Sequence, residues 1–430
     1  MNFREITPVK EQIKKCVRCG RCRTVCPVMA EIRNETAAPR GHVFMVQMLR
    51  DGEVKPTEQV YEHLSNCLLC ETCSTFCPSG IDIHELNEAA RTFVYQNNPS
   101  ISKDLVFDSI WTRPGVLRTG GFFIGVANKT GMQKAARALG LTKLLPGDLS
   151  KAEQIMHDPP LRSAKSSLPT VSKPVGPKKM RVAYFLGCGT DMFSPTVAKA
   201  TVEVLTRYGC EVIIPPGMKC CGLPHIANGK MDTAQKLAIH NLKIFNAIEA
   251  DYIVTDCASC SSAISQKRLE LLLENEGYDD DIKKFCSRVR DLNIFLTDVL
   301  DIKPEGLHTM DLKVTYHDPC HLAKAQGIRQ APRDILKMIP GVQLTEMAES
   351  DRCCGGSGTF SLTHYDLSMK ILRRKMDNIA ATGAKVITTC CPSCTMQLKH
   401  GTNLYNYKAE VKHPVEILAE AGRKQLAKAR

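Results

Sequence analysis

The sequence predicts an α+β multidomain chain: a small helical N-terminal unit followed by two duplicated α/β modules, each a βαβ arrangement on a parallel sheet. Three observations predict it. The phrase C-x2-C-x2-C-x3-C-P occurs twice near the N-terminus, as Cys16, Cys19, Cys22, Cys26, Pro27 and as Cys67, Cys70, Cys73, Cys77, Pro78. Five cysteines of the C-terminal half recur at offsets of 132 to 134 residues. Between them, short apolar strands alternate with helical segments, the pattern of parallel βαβ units.

Residues 1–97 hold both cysteine phrases, which are the run that ligates iron–sulfur clusters in bacterial ferredoxins. This unit reads as a helical 2[4Fe-4S] ferredoxin-like domain. Between the phrases, Val43, Phe44, Val46, Met48 and Leu49 recur at helical spacing after a Pro39–Gly41 start. After Pro78, IDIHELNEAARTFVYQ also reads as a helix. Residues 98–180 form a helical connector and a linker. The connector carries Trp111, the chain's only tryptophan, and glycines at 120, 121 and 125. Its final stretch, 151–180, has Pro159, Pro160, Pro169, Pro174 and Pro177 with five lysines, which predicts an extended segment.

Residues 181–305 and 306–430 are the two modules. RVAYFLGC ends at Cys188 and KVTYHDPC at Cys320. Cys220-Cys221-Gly222 answers Cys353-Cys354-Gly355, and Cys257-x2-Cys260 answers Cys391-x2-Cys394. In the first module Val197, Ala200, Thr201, Val204 and Leu205 fall on one face of a helix framed by the strands RVAYFLG and EVIIP. KVTYH and KVITTC are matching strands of the second. Cys188, Cys257, Cys320 and Cys391 lie at or just past strand carboxyl ends, where open α/β sheets place ligands.

The 430 residues include 21 cysteines. A long chain with no apolar leader in MNFREITPVK points to a reducing compartment and to cysteines that hold metal rather than each other. No run of 18 apolar residues predicts a transmembrane helix. The formal charge of +12 suggests nucleic acid at first sight, but ligating cysteines are thiolates and offset part of it, and no recognition motif accompanies it. An anionic cofactor, an acidic partner or a membrane surface fits better than nucleic acid. No G-x-G-x-x-G follows a strand and no P-loop is present, so flavin and nicotinamide are expected elsewhere.

In two-cluster ferredoxins the fourth cysteine of each phrase serves the other cluster. This assigns Cys16, Cys19, Cys22 and Cys77 to one [4Fe-4S] cluster, and Cys67, Cys70, Cys73 and Cys26 to the other. A pair of zinc sites is disfavoured, because zinc rarely uses this spacing with a trailing proline. The C-terminal sets read C-x31/32-C-C-G-x34/35-C-x2-C. Cys-Cys-Gly puts two sulfurs on a sharp turn with backbone room beside a metal. Five sulfurs exceed what one tetrahedral zinc uses, which favours a larger cluster or a site with thiols left for redox chemistry.

Cys210, Cys286 and Cys390 read as ordinary residues. His317, His321 and His225 flank cysteine sites; hydrogen bonding beside a cluster is favoured over ligation, and His317 and His321 are catalytic candidates for proton relay. Lys219 and Arg352 precede each cysteine pair, as exposed charges or as cations favouring a reduced cluster. Lys14, Lys15, Arg18, Arg21 and Arg23 crowd the first loop, whereas the second has Glu71 and no base. The cluster on Cys16, Cys19 and Cys22 is therefore expected to have the higher potential.

The C-terminal pattern resembles the CCG domain of heterodisulfide reductases. The whole order, with the phrases APRGHV, FCPSGI, DPCHL and CCGGSG, resembles the iron–sulfur subunits of glycolate oxidases. The resemblance implies noncubane [4Fe-4S] clusters on Cys188, Cys220, Cys221, Cys257 and Cys260 and on Cys320, Cys353, Cys354, Cys391 and Cys394. The alternative for one set is zinc or no metal, as the modules differ: CCGGSG in the second answers CCGLPH in the first. It further implies an electron-transfer subunit of a glycolate- or D-lactate-type dehydrogenase. FAD would sit on a partner oxidase subunit, with a quinone, an electron-transfer flavoprotein or a membrane subunit as acceptor. The expected location is cytoplasmic or peripheral on the inner face of the cell membrane. The alternatives are disulfide reduction at a CCG site, as in heterodisulfide reductase, and a subunit of the anaerobic glycerol-3-phosphate dehydrogenase type.

Overall fold

A computed structural model describes residues 7–144, 148–155 and 160–428; Pro159 of the linker and residues 1–6 of the opening segment lie outside them. The N-terminal unit is helical. Its helix Pro39–Asp51 starts on a proline at the first turn and ends on Gly52 in the left-handed conformation. Val43, Val46 and Leu49 are buried, as their spacing predicts, but Phe44 is 47% exposed. The reason is local: Phe44 lies under the Arg18 guanidinium, 5.4 Å from ring centroid to Cζ, on the outer face of the first cysteine loop.

Helix Ile83–Asn97 is buried on nearly all sides, including His84, Glu85, Asn87, Glu88 and Arg91. Its polar residues are buried because other parts of the chain supply their partners. Arg91 donates to Leu64 O (2.7 Å), Cys67 O (2.6 Å) and Ala227 O (2.7 Å). Glu88 pairs with Arg268, and Lys267 reaches Asp82 (2.6 Å) and Glu85 (3.2 Å). The helix therefore joins the N-terminal unit to the first module.

Among the described residues nine strands follow: β1 (Val171–Ser172), β2 (Met180–Tyr184), β3 (Cys210–Ile213), β4 (Tyr252–Thr255), β5 (Val289–Asp291), β6 (Leu312–Tyr316), β7 (Val342–Leu344), β8 (Val386–Thr388) and β9 (Glu410–Lys412). They form two sheets, ordered β1-β3-β2-β4-β5 and β7-β6-β8-β9. All pairings are parallel except β1 with β3. Without β1 the two orders are the same, so the sequence repeat is also a repeat of topology. Helix Pro195–Arg207 buries Val197, Ala200, Thr201, Val204 and Leu205 against the first sheet.

The proline-rich linker is more than an extended connector. It forms a short helix, Ala164–Ser167, and then β1, which pairs Val171 with Ile213 and covers the edge of β3. The connector before it contains helices Pro114–Lys129 and Met132–Ala138 and docks on the first module. Arg118 pairs with Asp191 at 2.7 Å, and Trp111 stacks on Phe107 beside His225.

Arg91→Met would strand the carbonyls of Leu64, Cys67 and Ala227. Hydrogen bonds to charged groups contribute about 1.5–3 kcal/mol each, and burial leaves little room for solvent to replace them. We expect a loss of about 3 kcal/mol, measured as a lowered midpoint in urea unfolding against the wild-type chain.

Candidate metal centres

The two N-terminal loops have one backbone path. Arg18 (φ 54°) and Gly20 (φ 77°) are left-handed in the first; Leu69 (φ 52°) and Glu71 (φ 58°) are left-handed in the second. Leu69 and Glu71 adopt a conformation unfavourable for residues with a Cβ, and such strain persists where the surroundings over-determine it. The loop curls its cysteines inward: Cys22, Cys70 and Cys73 are buried, while Cys19 stays exposed.

The fourth cysteines differ in their surroundings. Cys26 caps helix Pro27–Ile32, with its sulfur 3.4 Å from the Met29 N–H, and Pro27 occupies the first turn. Burial pushes the Cys26 thiol up to about 12, reinforced by nearby Cys70 and Cys67. Cys26 packs beside Cys70, whereas Cys77 packs on the core that holds both Cys22 and Cys73, with Cys16. Burial likewise pushes Cys67 up to about 11, though Arg91 opposes it.

Each C-terminal set is a chain of sulfur contacts. In the first, Cys188 lies 3.6 Å from Cys220, Cys220 meets Cys221, Cys221 meets Cys260, and Cys260 meets Cys257. In the second the order is Cys320, Cys353, Cys354, Cys394, Cys391. Cys220 and Cys260 are pushed up because each hydrogen-bonds to a neighbouring sulfur; Cys221, which accepts from both, is drawn down. Gly222 (φ 90°) and Gly355 (φ 88°) make the turn after each pair. A Cβ on Gly355 would stand 2.8 Å from Ser368 O, so this turn admits only glycine without a backbone shift.

The sets also meet one another. Cys70 of the second loop contacts Cys353, and Cys257 contacts Cys391. The second loop is clamped by the second module: Ser357 Oγ donates to Leu68 O (2.5 Å), His321 Nε2 lies 3.3 Å from Leu69 O, and Lys324 donates to Thr72 Oγ1 (2.6 Å). Between modules, Ser259 Oγ is 3.3 Å from Cys391 Sγ and 3.2 Å from His321 Nδ1, and Ala258 N donates to Cys390 O (2.9 Å). The spatial order is first loop, second loop, second module, first module.

The histidines occupy different settings. His225 Nε2 bonds the Phe107 carbonyl at 2.9 Å, and His321 bridges the modules as described. His317 presents a ring nitrogen within 4.8 Å of the Cys354 and Cys394 sulfurs. Arg352 lies 3.7 Å from Glu349, and Lys219 is half-buried. Cys210 is buried at the start of β3, Cys286 bonds Ile264 O, and Cys390 lies 3.5 Å from Tyr316 Oη. The Tyr316–Cys390 contact matches Tyr184 Oη–Asp256 (3.0 Å) in the first module. One cation was not singled out from sequence. Lys375 is fully buried, donates to Glu349 O (2.5 Å), and lies near Cys354 and Cys353; burial draws its amine down to about 8. The signal was a lysine at an apolar position of helix Tyr365–Ala380, in register with Leu372, Met376 and Ile379.

These thiols are brought together with few buried cations to balance them as thiolates. A cationic metal core removes that penalty, so the donor sets fit iron–sulfur clusters.

Comparison with known proteins agrees. Residues 12–81 match the 4Fe-4S dicluster domain, residues 182–265 and 314–399 the cysteine-rich CCG domain, and residues 99–156 the linker region of the glycolate oxidase iron–sulfur subunit. A probable glycolate oxidase iron–sulfur subunit of Bacillus subtilis is 32% identical over 95% of this chain and 94% of its own length. The glycolate oxidase iron–sulfur subunit of Escherichia coli is 28% identical over 96% of this chain and 95% of its own. Lactate utilization protein A of Halalkalibacterium halodurans is 33% identical over 56% of this chain and 96% of its own. No described helix is long and apolar enough to cross a membrane. With matches along nearly its whole length, the chain belongs to the glycolate oxidase iron–sulfur subunit family.

Proposed function

We propose that this chain is the electron-transfer subunit of a 2-hydroxy acid dehydrogenase of the glycolate or D-lactate type, working with a flavoprotein that oxidises the substrate. The observation that carries it is the series of four sulfur sets, with Cys22 near Cys73 and contacts at Cys70–Cys353 and Cys257–Cys391. Cys16, Cys19, Cys22 and Cys77 would hold one [4Fe-4S] cluster, and Cys67, Cys70, Cys73 and Cys26 the other. The two C-terminal sets would hold noncubane [4Fe-4S] clusters. Bound there, the clusters supply one-electron acceptance and donation, which divides the electron pair of a flavin. The protein's own groups space the sets, exclude water and place backbone N–H groups against sulfur: Leu69 N to Cys67 (3.3 Å), Cys260 N to Cys257 (3.4 Å), Gly355 N to Cys353 (3.4 Å). Such hydrogen bonds favour the more negative state. FAD on the partner, and a quinone, electron-transfer flavoprotein or membrane subunit as acceptor, complete the proposal.

Anaerobically purified chain should contain between about 8 and about 16 irons with matching sulfide, for two to four filled four-iron sites. Its visible absorption should bleach when a 2-hydroxy acid and the co-purified flavoprotein are both added. A colourless, zinc-loaded chain that accepts no electrons would overturn the proposal; turnover of a heterodisulfide without the flavoprotein would favour the disulfide-reducing alternative.

The two N-terminal sites differ in surroundings. The first is ringed by Arg18 over Phe44 and Arg21 over Phe76 (5.1 Å), with Cys19 exposed. The second is enclosed, and its Glu71 carboxyl is itself raised by burial. Cations and solvent both favour the reduced form at the first. Arg18→Ala or Arg21→Ala should lower that cluster's midpoint by roughly 20–60 mV, the Coulomb effect of one charge at about 10 Å under partial screening. An EPR-monitored redox titration in which the second cluster moves instead would contradict the assignment.

A further inference from the structure

We infer that His317 supplies a nitrogen ligand to the metal centre of the second module. The inference rests on the proposed function only in taking that centre to hold metal.

The geometry is specific to one ring atom. A ligand atom of His317 and the sulfurs of Cys354 and Cys394 all lie within 4.8 Å of one another, and all three residues are buried. Nδ1 of His317 lies 3.1 Å from the Ser350 carbonyl oxygen. A carbonyl oxygen only accepts, so Nδ1 carries the hydrogen. A charged ring would bury its second N–H without an acceptor, so the hydrogen sits on Nδ1 alone. Nε2 is then a bare lone pair, and it is buried without a hydrogen-bond partner. A lone pair on a ring beside two sulfurs is repelled by them as thiolates. A metal ion bound by all three reverses that sign, and a carbonyl fixing the tautomer through the other nitrogen is the usual support of a metal-ligating histidine.

The repeat isolates the feature. His317 stands three residues before Cys320; the residue three before Cys188 is Phe185. Phe185 is fully buried and stacks on Phe245 at 5.3 Å. The first module therefore has an apolar ring where the second has a nitrogen donor, and Lys375 adds a cation to the second module alone, since the neutral Asn241 falls in its place. The two centres would differ in donor set, and the Lys375 amine beside the second makes that centre the more easily reduced.

The test uses the full chain, purified without oxygen, with natural and with 15N-labelled histidine. Pulsed EPR of the reduced C-terminal centres should show the coupling of a directly bound nitrogen that changes to the 15N pattern on labelling. His317→Phe should lose that coupling and shift the midpoint potential of one centre, while His321→Gln keeps the coupling. The labelled wild-type chain gives the answer even where His317→Phe does not fold. If iron fills the second module and no bound nitrogen is seen, the inference fails and the proposed function stands. If X-ray absorption finds zinc in the second module with a shell of sulfur alone, both the inference and the iron assignment of that site fail. Zinc with a mixed sulfur and nitrogen shell upholds His317 and removes only the iron.

Discussion

The constraint behind the rest of the structure is the cost of bringing buried thiols into contact. Each C-terminal set packs five sulfurs in a row, with only Lys375 as a buried cation among the described residues near them. As thiols they forgo better packing and hydrogen bonds; as thiolates they repel. The chain nevertheless spends strained backbone at Leu69 and Glu71, and glycine turns after each cysteine pair, to gather them. A bound cation relieves that cost, which under the proposed function links the folding of these regions to metal loading.

Much of this was legible because the chemistry is written locally. The loop C-x2-C-x2-C fixes a backbone path, and the duplicated strands carry their cysteines to the same edge of each sheet. The equivalence of Asp256 and Cys390 holds in space, since each meets the same tyrosine of its module, Tyr184 or Tyr316. What was not legible depends on packing between distant segments. The order along the chain puts the first module next to the N-terminal unit. In space the second module covers the second loop, through Ser357, His321 and Lys324, and the first module instead grips helix Ile83–Asn97 through Arg268 and Lys267. No periodicity encodes that choice. Lys375 was hidden for a related reason: a lysine in a basic helix reads as solvated until the burial of its neighbours is known.

Duplication followed by divergence explains why the two modules are not interchangeable. Their sheets have the same order, so the scaffold positions both sets of sulfurs alike. Around this shared scaffold the second module gains His317, Lys375 and the Asp318–Arg333 pair (2.7 Å), where Arg333 holds the buried Asp318 carboxylate ionised against its burial. The first gains Phe185, and the connector brings Trp111 to Cys188. Polar groups thus collect at the inner site of the series and apolar groups at its far end.

That distribution bears on direction. Under the proposed function the series has two ends, Cys19 on the N-terminal unit and Cys188 on the first module. The Cys19 end is exposed, with Val17 at 71%, Phe44 and Phe76 open to solvent and a surrounding ring of lysine and arginine. The Cys188 end is walled by helix Pro114–Lys129 of the connector, through Pro114, Leu117 and Arg118. A redox protein with an acidic face meets complementary charge and apolar contact at the first end, the combination that speeds encounter while keeping contacts transient. At the second end an exchange of electrons must pass through or beside the connector. The connector is therefore part of the redox path's boundary, and its packing on the first module, rather than the length of chain it spans, is what makes it functionally significant.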